Sequence, residues 1–126
     1  MIKFISPQSF KQIPWKNGKG ITTELAISDG GTLDSFDWRI SIASVVEDGP
    51  FSNFSGYLRN LILIQGKGIR LNHDNHTTDV LGSILDLATF DGSSQTIGTL
   101  INGPIKDGCS LLRMLKVSKR LFYKGV

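Results

Sequence analysis

The chain has 126 residues, 40% of them hydrophobic and 20% charged, with a net charge of +3 and one cysteine, Cys109. That suits one globular domain with a single core, and excludes a disordered chain and a disulfide scaffold. No apolar run approaches the roughly 20 residues of a membrane-spanning helix.

The charge is unevenly placed. Residues 1 to 105 hold eight Lys/Arg against ten Asp/Glu, whereas Lys106, Arg113, Lys116, Lys119, Arg120 and Lys124 face Asp107 alone in the remainder. The net positive charge therefore belongs to the tail, and no nucleic-acid partner is expected from it. The N-terminus, MIKFISPQSF, lacks a long apolar stretch followed by a small-residue cleavage site. No signal peptide is expected, and a reducing cytoplasm is the simplest compartment.

In chain order, Met1 to Ile5 alternates as a short strand. Ser6-Pro7 predicts a helical turn, with serine as cap and proline at its first position. Pro14-Trp15-Lys16-Asn17-Gly18-Lys19-Gly20 reads as a loop. Ile21 to Ser28 predicts a half-buried strand, with Thr22, Glu24 and Ala26 opposite Thr23, Leu25 and Ile27. Asp29-Gly30-Gly31 turns the chain. Phe36 to Val46 predicts a frame strand with Trp38, Ile40 and Ile42 on one face and Arg39, Ser41, Ala43 and Val45 on the other. Trp38 is expected in the core. Glu47-Asp48-Gly49-Pro50 breaks this strand.

Leu58 to Gln65 predicts the second frame strand, whose near-continuous apolar run suits burial on both faces. Ile69 to Asn72 predicts another strand, and His73-Asp74-Asn75-His76 a hairpin loop. Val80-Leu81, Ile84 to Leu87 and Thr96 to Ile101 are shorter candidates between glycine turns. Many short strands with such turns predict an all-β sandwich or barrel. From Ser110 to Val126, Leu111, Leu112 and Leu115 ahead of Lys119-Arg120 predict a basic amphipathic helix instead.

Few residues carry chemistry. His73, Asp74 and His76 are zinc or iron ligand types, but a polar hairpin loop is expected to leave them solvated. The corner from Gly49 to Gly56 has no histidine, carboxylate or cysteine, so neither metal nor other cofactor is expected. Asn17-Gly18-Lys19-Gly20 lacks the spacing of a phosphate-binding loop and precedes a strand, not a helix. Its backbone N–H groups still offer a place for a small anion, with Trp15 as the apolar wall. Cys109 has no neighbouring histidine and is expected to be an inert buried thiol. Arg39 and Arg59 stand out, each set among apolar residues on a frame strand. Each needs a carboxylate partner, on a ligand or within the protein, and Glu24 and Glu47 are internal candidates.

Four blocks make the chain recognisable: Pro14-Trp15-Lys16-Asn17-Gly18-x-Gly20, Asp37-Trp38-Arg39-Ile40-Ser41-x-Ala43, Asp48-Gly49-Pro50-Phe51-Ser52-x-Phe54-x-Gly56-Tyr57-x-Arg59 and Gly66-x-Gly68. Together with Leu100-x-x-Gly103-Pro104-Ile105-Lys106-Asp107, they resemble the HutD/Ves family over roughly the first 107 residues. The resemblance implies a cupin-like (RmlC-like) fold in two barrel halves without the cupin metal ligands. It implies a link to histidine utilisation or, in the Ves branch, to stress responses. Arg59 matches the family's ligand contact, and the loop of Trp15, Lys16 and Asn17 would line the pocket.

Lys19 stands where the family usually has glycine, and Ser55 where it often has proline. Beyond Asp107 the sequence departs from the family's pattern. We therefore expect a cupin-like domain over 1–107 with an incomplete second barrel half. An atypical basic tail over 108–126 would follow, in a truncated or frameshifted member with open sheet edges that a homodimer would cover.

The expected partner is a small anionic metabolite resembling formylglutamate, held by Arg59, Lys16, Asn17 and Trp15 with Glu24 and Arg39 nearby. Two alternatives stay open. One is a metal-independent isomerase or hydrolase of small acids, for which Glu24 is the available acid–base group. The other is a non-functional remnant, or a module that interacts through its exposed edge.

Overall fold

A computed structural model describes residues 6–114. The strand expected at Met1 to Ile5 and the helix expected beyond Met114 lie outside the described residues. Ser6 caps a short 3-10 helix over Pro7–Ser9, its hydroxyl accepting from the Gln8 N–H at 3.3 Å. Ten strands follow: β1 (Lys11–Pro14), β2 (Gly20–Ile27), β3 (Trp38–Val45), β4 (Gly49–Pro50), β5 (Tyr57–Gln65), β6 (Ile69–His73), β7 (Thr77–Leu81), β8 (Leu87–Asp91), β9 (Thr96–Leu100) and β10 (Ile105–Arg113). They form a six-stranded sheet in the order β1-β2-β3-β10-β5-β8 and a four-stranded sheet in the order β4-β9-β6-β7, with every strand pair antiparallel.

Two expectations are corrected here. Residues 110–113 are not helical: β10 lies at the centre of the large sheet, between β3 and β5. The leucines that suggested a helical face belong to a two-residue alternation, in which Ile105, Asp107, Cys109 and Leu111 are buried. The main sheet therefore continues past position 107, in steady register with β3 and with a register shift against β5 between Lys106 and Asp107. Trp38 is not in the core. It is 40% exposed, beside Ile40 at 44%, whereas Arg39, Ser41, Ala43 and Val45 face inward. Apolar content alone points to the wrong face of β3, because Leu112, paired with Trp38, is also exposed on the outer side. β5 is fully buried on only one face, through Arg59, Leu61 and Leu63.

Other expectations need smaller adjustments. Ile84 to Leu87 is mostly loop, and the strand there is Leu87–Asp91. β2 loses the predicted alternation at a bulge between Glu24 and Ala26, which leaves Glu24 opposite Ser41 and Ala26 opposite Ile40. His73 is buried at the end of β6 rather than solvated, while His76 is exposed. The turn between them is tight, with Asp74 and Asn75 both at positive φ of 54° and 55°.

The core lies where the two sheets face each other. Leu61 and Leu63 from one sheet meet Ile69, Leu71 and Leu81 from the other, with Val45, Phe51, Ala88, Phe90 and Ile105 around them. Burying each such aliphatic side chain contributes about 1.5–3 kcal/mol. A smaller cluster of Phe36, Cys109 and Leu111 packs against Ile27, Phe54 and Tyr57. Gly98 lets β9 approach closely: a Cβ there would stand 2.6 Å from the Phe51 ring.

Candidate functional site

Cross-strand register decides what enters the space between the sheets. Val45 and Ile105 form one inward row. The next is Ala43, Asp107 and Leu63, and after it Ser41, Cys109 and Leu61. The last is Arg39, Leu111, Arg59 and Phe90. Polar groups thus replace apolar ones toward one end of the same strands. A cavity of about 720 Å³ opens there, walled by β3, β5 and β10 and by the loops that carry Trp15 and Phe51.

Arg59 is 8% exposed and firmly held. Its Nη1 donates to the Ser52 carbonyl at 2.9 Å. Its guanidinium carbon lies 5.3, 5.4 and 5.8 Å from the ring centroids of Phe51, Phe54 and Phe90. Aromatic faces attract the cation and restrict its motion. Its Nε is buried without a hydrogen-bond partner. Such a donor is costly to leave unsatisfied and suits an acceptor brought in from outside.

Arg39 is differently placed. Its Nε donates to Glu24 Oε1 at 2.9 Å in a buried ion pair. Glu24 lies opposite inward-facing Ser41, in step with Gly20 and Thr22 and just ahead of the β2 bulge, so it faces the interior beside Arg39. Glu24 does not line the cavity. It neutralises Arg39, which does line it.

Asp107 is the group that sequence reasoning missed. It is fully buried, and neither carboxylate oxygen has a hydrogen-bond partner. Burial pushes its pKa from 3.8 up to about 7, against the lowering charge of Arg59. A register shift between Lys106 and Asp107, where β10 meets β5, adjoins it. The signal was present in the alternation of Ile105, Asp107, Cys109 and Leu111, but a tail read as starting at residue 108 concealed it. Cys109 also lines the cavity, its thiol pushed up by burial against the charge of Arg59.

Trp15, Lys16 and Asn17 line the cavity. Trp15 Nε1 donates to Thr22 Oγ1 at 2.8 Å, and its ring meets Phe51 edge-on at 5.6 Å. Gly20 permits that packing, since a Cβ there would lie 2.5 Å from the Ser44 carbonyl oxygen and 3.0 Å from the Trp15 ring. Lys16 and Asn17 are exposed at the mouth. The Trp15, Gly18 and Lys19 N–H groups donate within the loop, to Gly20 O, Trp15 O and Asn17 Oδ1. Those three are therefore not aimed at an anion. Lys19 instead donates to the Asp48 carbonyl at 2.8 Å, tying the loop to the next corner.

A second depression, of about 560 Å³, lies by His73, His76 and Asp79. His73 is engaged on both sides, with Nδ1 2.8 Å from Thr96 Oγ1 and Nε2 2.9 Å from Asp79 Oδ2, and its ring packs on Phe90. That arrangement anchors a strand end. Among the described residues no group of three or more His, Cys, Asp or Glu is placed to hold a metal ion. No helix among them is long and apolar enough to cross a membrane.

The HutD family model matches residues 7–121, past the point where the resemblance in the sequence fades. An uncharacterised 21.2 kDa protein of the hutC 3′ region in Pseudomonas putida is 40% identical over 106 residues, which are 84% of this chain and 55% of that one. Protein Ves of Citrobacter koseri is 38% identical over 89 residues, 71% of this chain and 46% of its own. The structure of HutD from Pseudomonas fluorescens SBW25 superposes with a TM-score of 0.78 at 38% identity, over 86% of this chain and 59% of that one. A Cupin_2 domain of an Enterobacter cloacae regulator shares the fold alone, at 11% identity and a TM-score of 0.60, over 77% of this chain and 99% of that one. The chain thus spans little more than half the length of the P. putida relative. On these matches, the chain has the cupin fold and belongs to the HutD family.

Proposed function

We propose that this chain binds a small carboxylate metabolite in the cavity beside Arg59, in a role tied to histidine utilisation. The observation that carries this is the Arg59 guanidinium, buried, boxed by three phenylalanines and pinned to Ser52, with its buried Nε–H left without a partner. A fixed arginine with unused donors is preorganised for a planar carboxyl or formyl group. Trp15 supplies an apolar wall, and Lys16 and Asn17 stand at the mouth for a second polar group. The hutC neighbourhood of the P. putida relative supports the pathway. Formylglutamate combines a formyl group with carboxylates and is the ligand to test first.

Calorimetric titration of formylglutamate into wild type and Arg59→Ala is the test. Loss of a charge-assisted contact to Arg59 is expected to weaken binding about 10- to 100-fold. Equal binding by the two proteins would remove Arg59 from the site.

A second reading is favoured by one observation. Asp107, with its pKa near 7 in the same cavity, has the proton affinity of a general acid–base group. Glu24 lacks that freedom, being committed to Arg39. Turnover of formylglutamate or a related acid that vanishes in Asp107→Asn would establish an enzyme in place of a binding protein.

A further inference from the structure

The charges inside the cavity constrain what can bind beside Arg59. Arg39 on β3 is neutralised by Glu24 on β2 at 2.9 Å. Cys109, on the same strand as Asp107, is kept in its neutral thiol form by burial. Lys16 and Asp34 line the mouth, both exposed and of opposite sign. Two interior charges remain: Arg59 with an unpartnered Nε, and Asp107 with two unpartnered oxygens. They share the cavity without a hydrogen bond between them.

A ligand carboxylate at Arg59 changes this balance. With Asp107 ionised, one interior cation would face two anions in a poorly hydrated space, which is strongly unfavourable. With Asp107 protonated, one cation faces one anion. The Asp107 hydroxyl then becomes a donor where a carboxylate has only acceptors.

Resting on the carboxylate-binding reading above, we propose that ligand and proton bind together, with the ligand carboxylate on Arg59 and one solvent proton on Asp107, which donates to the ligand. The proton leaves a buffer acid and joins an Asp107 oxygen, and no other bond changes. Asp107 thereby sets specificity. One carboxylate of formylglutamate fits the single available interior cation, with its other toward exposed Lys16 at the mouth, whereas a phosphate dianion sets both charges at Arg59 and would need a second cation or a second proton there. The raised proton affinity of Asp107 keeps that proton within reach at neutral pH.

Calorimetry of formylglutamate binding to the full chain at pH about 8, in two buffers of different ionisation enthalpy, counts the protons. Uptake of about one proton per ligand is expected, with affinity falling about tenfold per pH unit above about 7. Asp107→Asn cannot titrate, and is expected to bind with no proton uptake and a flat profile. Inorganic phosphate is expected to bind wild type at least about tenfold more weakly than formylglutamate. Wild-type binding without proton uptake, or phosphate binding as tightly, overturns the proposal and leaves the Arg59 reading standing. Absence of any binding between pH about 5 and 9 overturns both. The wild-type proton count needs no variant, so a poorly folding Asp107→Asn would not blunt the test.

Discussion

The inner face of the large sheet has two ends built from the same strands. At one, the row of Val45 and Ile105, each 2% exposed, packs into the apolar core. At the other, Arg39, Arg59 and Asp107 are 0–8% exposed, yet a cavity of about 720 Å³ lies among them. Burial is nearly equal, and the packing differs. Aliphatic side chains interlock without regard to direction. Charged ones close only on a partner of opposite sign, as Arg39 does on Glu24. Arg59 and Asp107 have no such closure, so their end of the sandwich stays open to a molecule from outside.

Substitutions at the two ends should separate these roles. The largest loss of stability is expected from Arg39→Met, which strands Glu24 as a buried charge at a cost of about 3–5 kcal/mol. Urea unfolding would measure it, and adding Glu24→Leu should restore most of the loss. Leu81→Ala, in the core but on the other sheet and away from the cavity lining, is expected to cost about 2–5 kcal/mol while leaving ligand affinity within about twofold, because sites with no shared partner act independently.

Asp107→Asn should act through pH. The folded chain holds the Asp107 proton up to about pH 7, whereas the unfolded chain releases it near 3.8. Wild-type stability from this group is therefore complete below pH 4 and is lost as pH rises through 7. The variant lacks that slope and should gain on wild type by on the order of 1–3 kcal/mol between pH about 4 and 8. Denaturant melts at the two pH values would show it. The smallest effect is expected from Lys16→Ala at the mouth: affinity should drop by less than about fivefold, and the difference should vanish at high salt.

Much of this contrast was legible in the sequence. Ser6-Pro7 announced a capped turn, the two frame strands came out with nearly correct limits, and Glu24 was already a candidate partner for Arg39. Arg59 stood out because an arginine between apolar neighbours needs a reason. Two things were hidden. The direction of β3 was ambiguous because Trp38 and Ile40 make its outer face as apolar as its inner one. Asp107 escaped notice because Leu111 and Leu112 suit a helix locally, and only pairing with β3 and β5 makes that segment a central strand. Long-range pairing of this kind overrides local preference and leaves little local trace. The bulge after Glu24, which puts Ala26 opposite outward-facing Ile40, is likewise a property of register.

The most direct measurement is the NMR signal of the Arg59 side-chain N–H in isotopically labelled protein, followed as formylglutamate is added. Binding in the cavity predicts a large downfield shift of that Nε–H as its unused donor gains an acceptor, with Trp15 Nε1 moving in the same titration. An Arg59 signal that stays fixed while formylglutamate demonstrably binds would place the ligand elsewhere and contradict the assignment of this cavity.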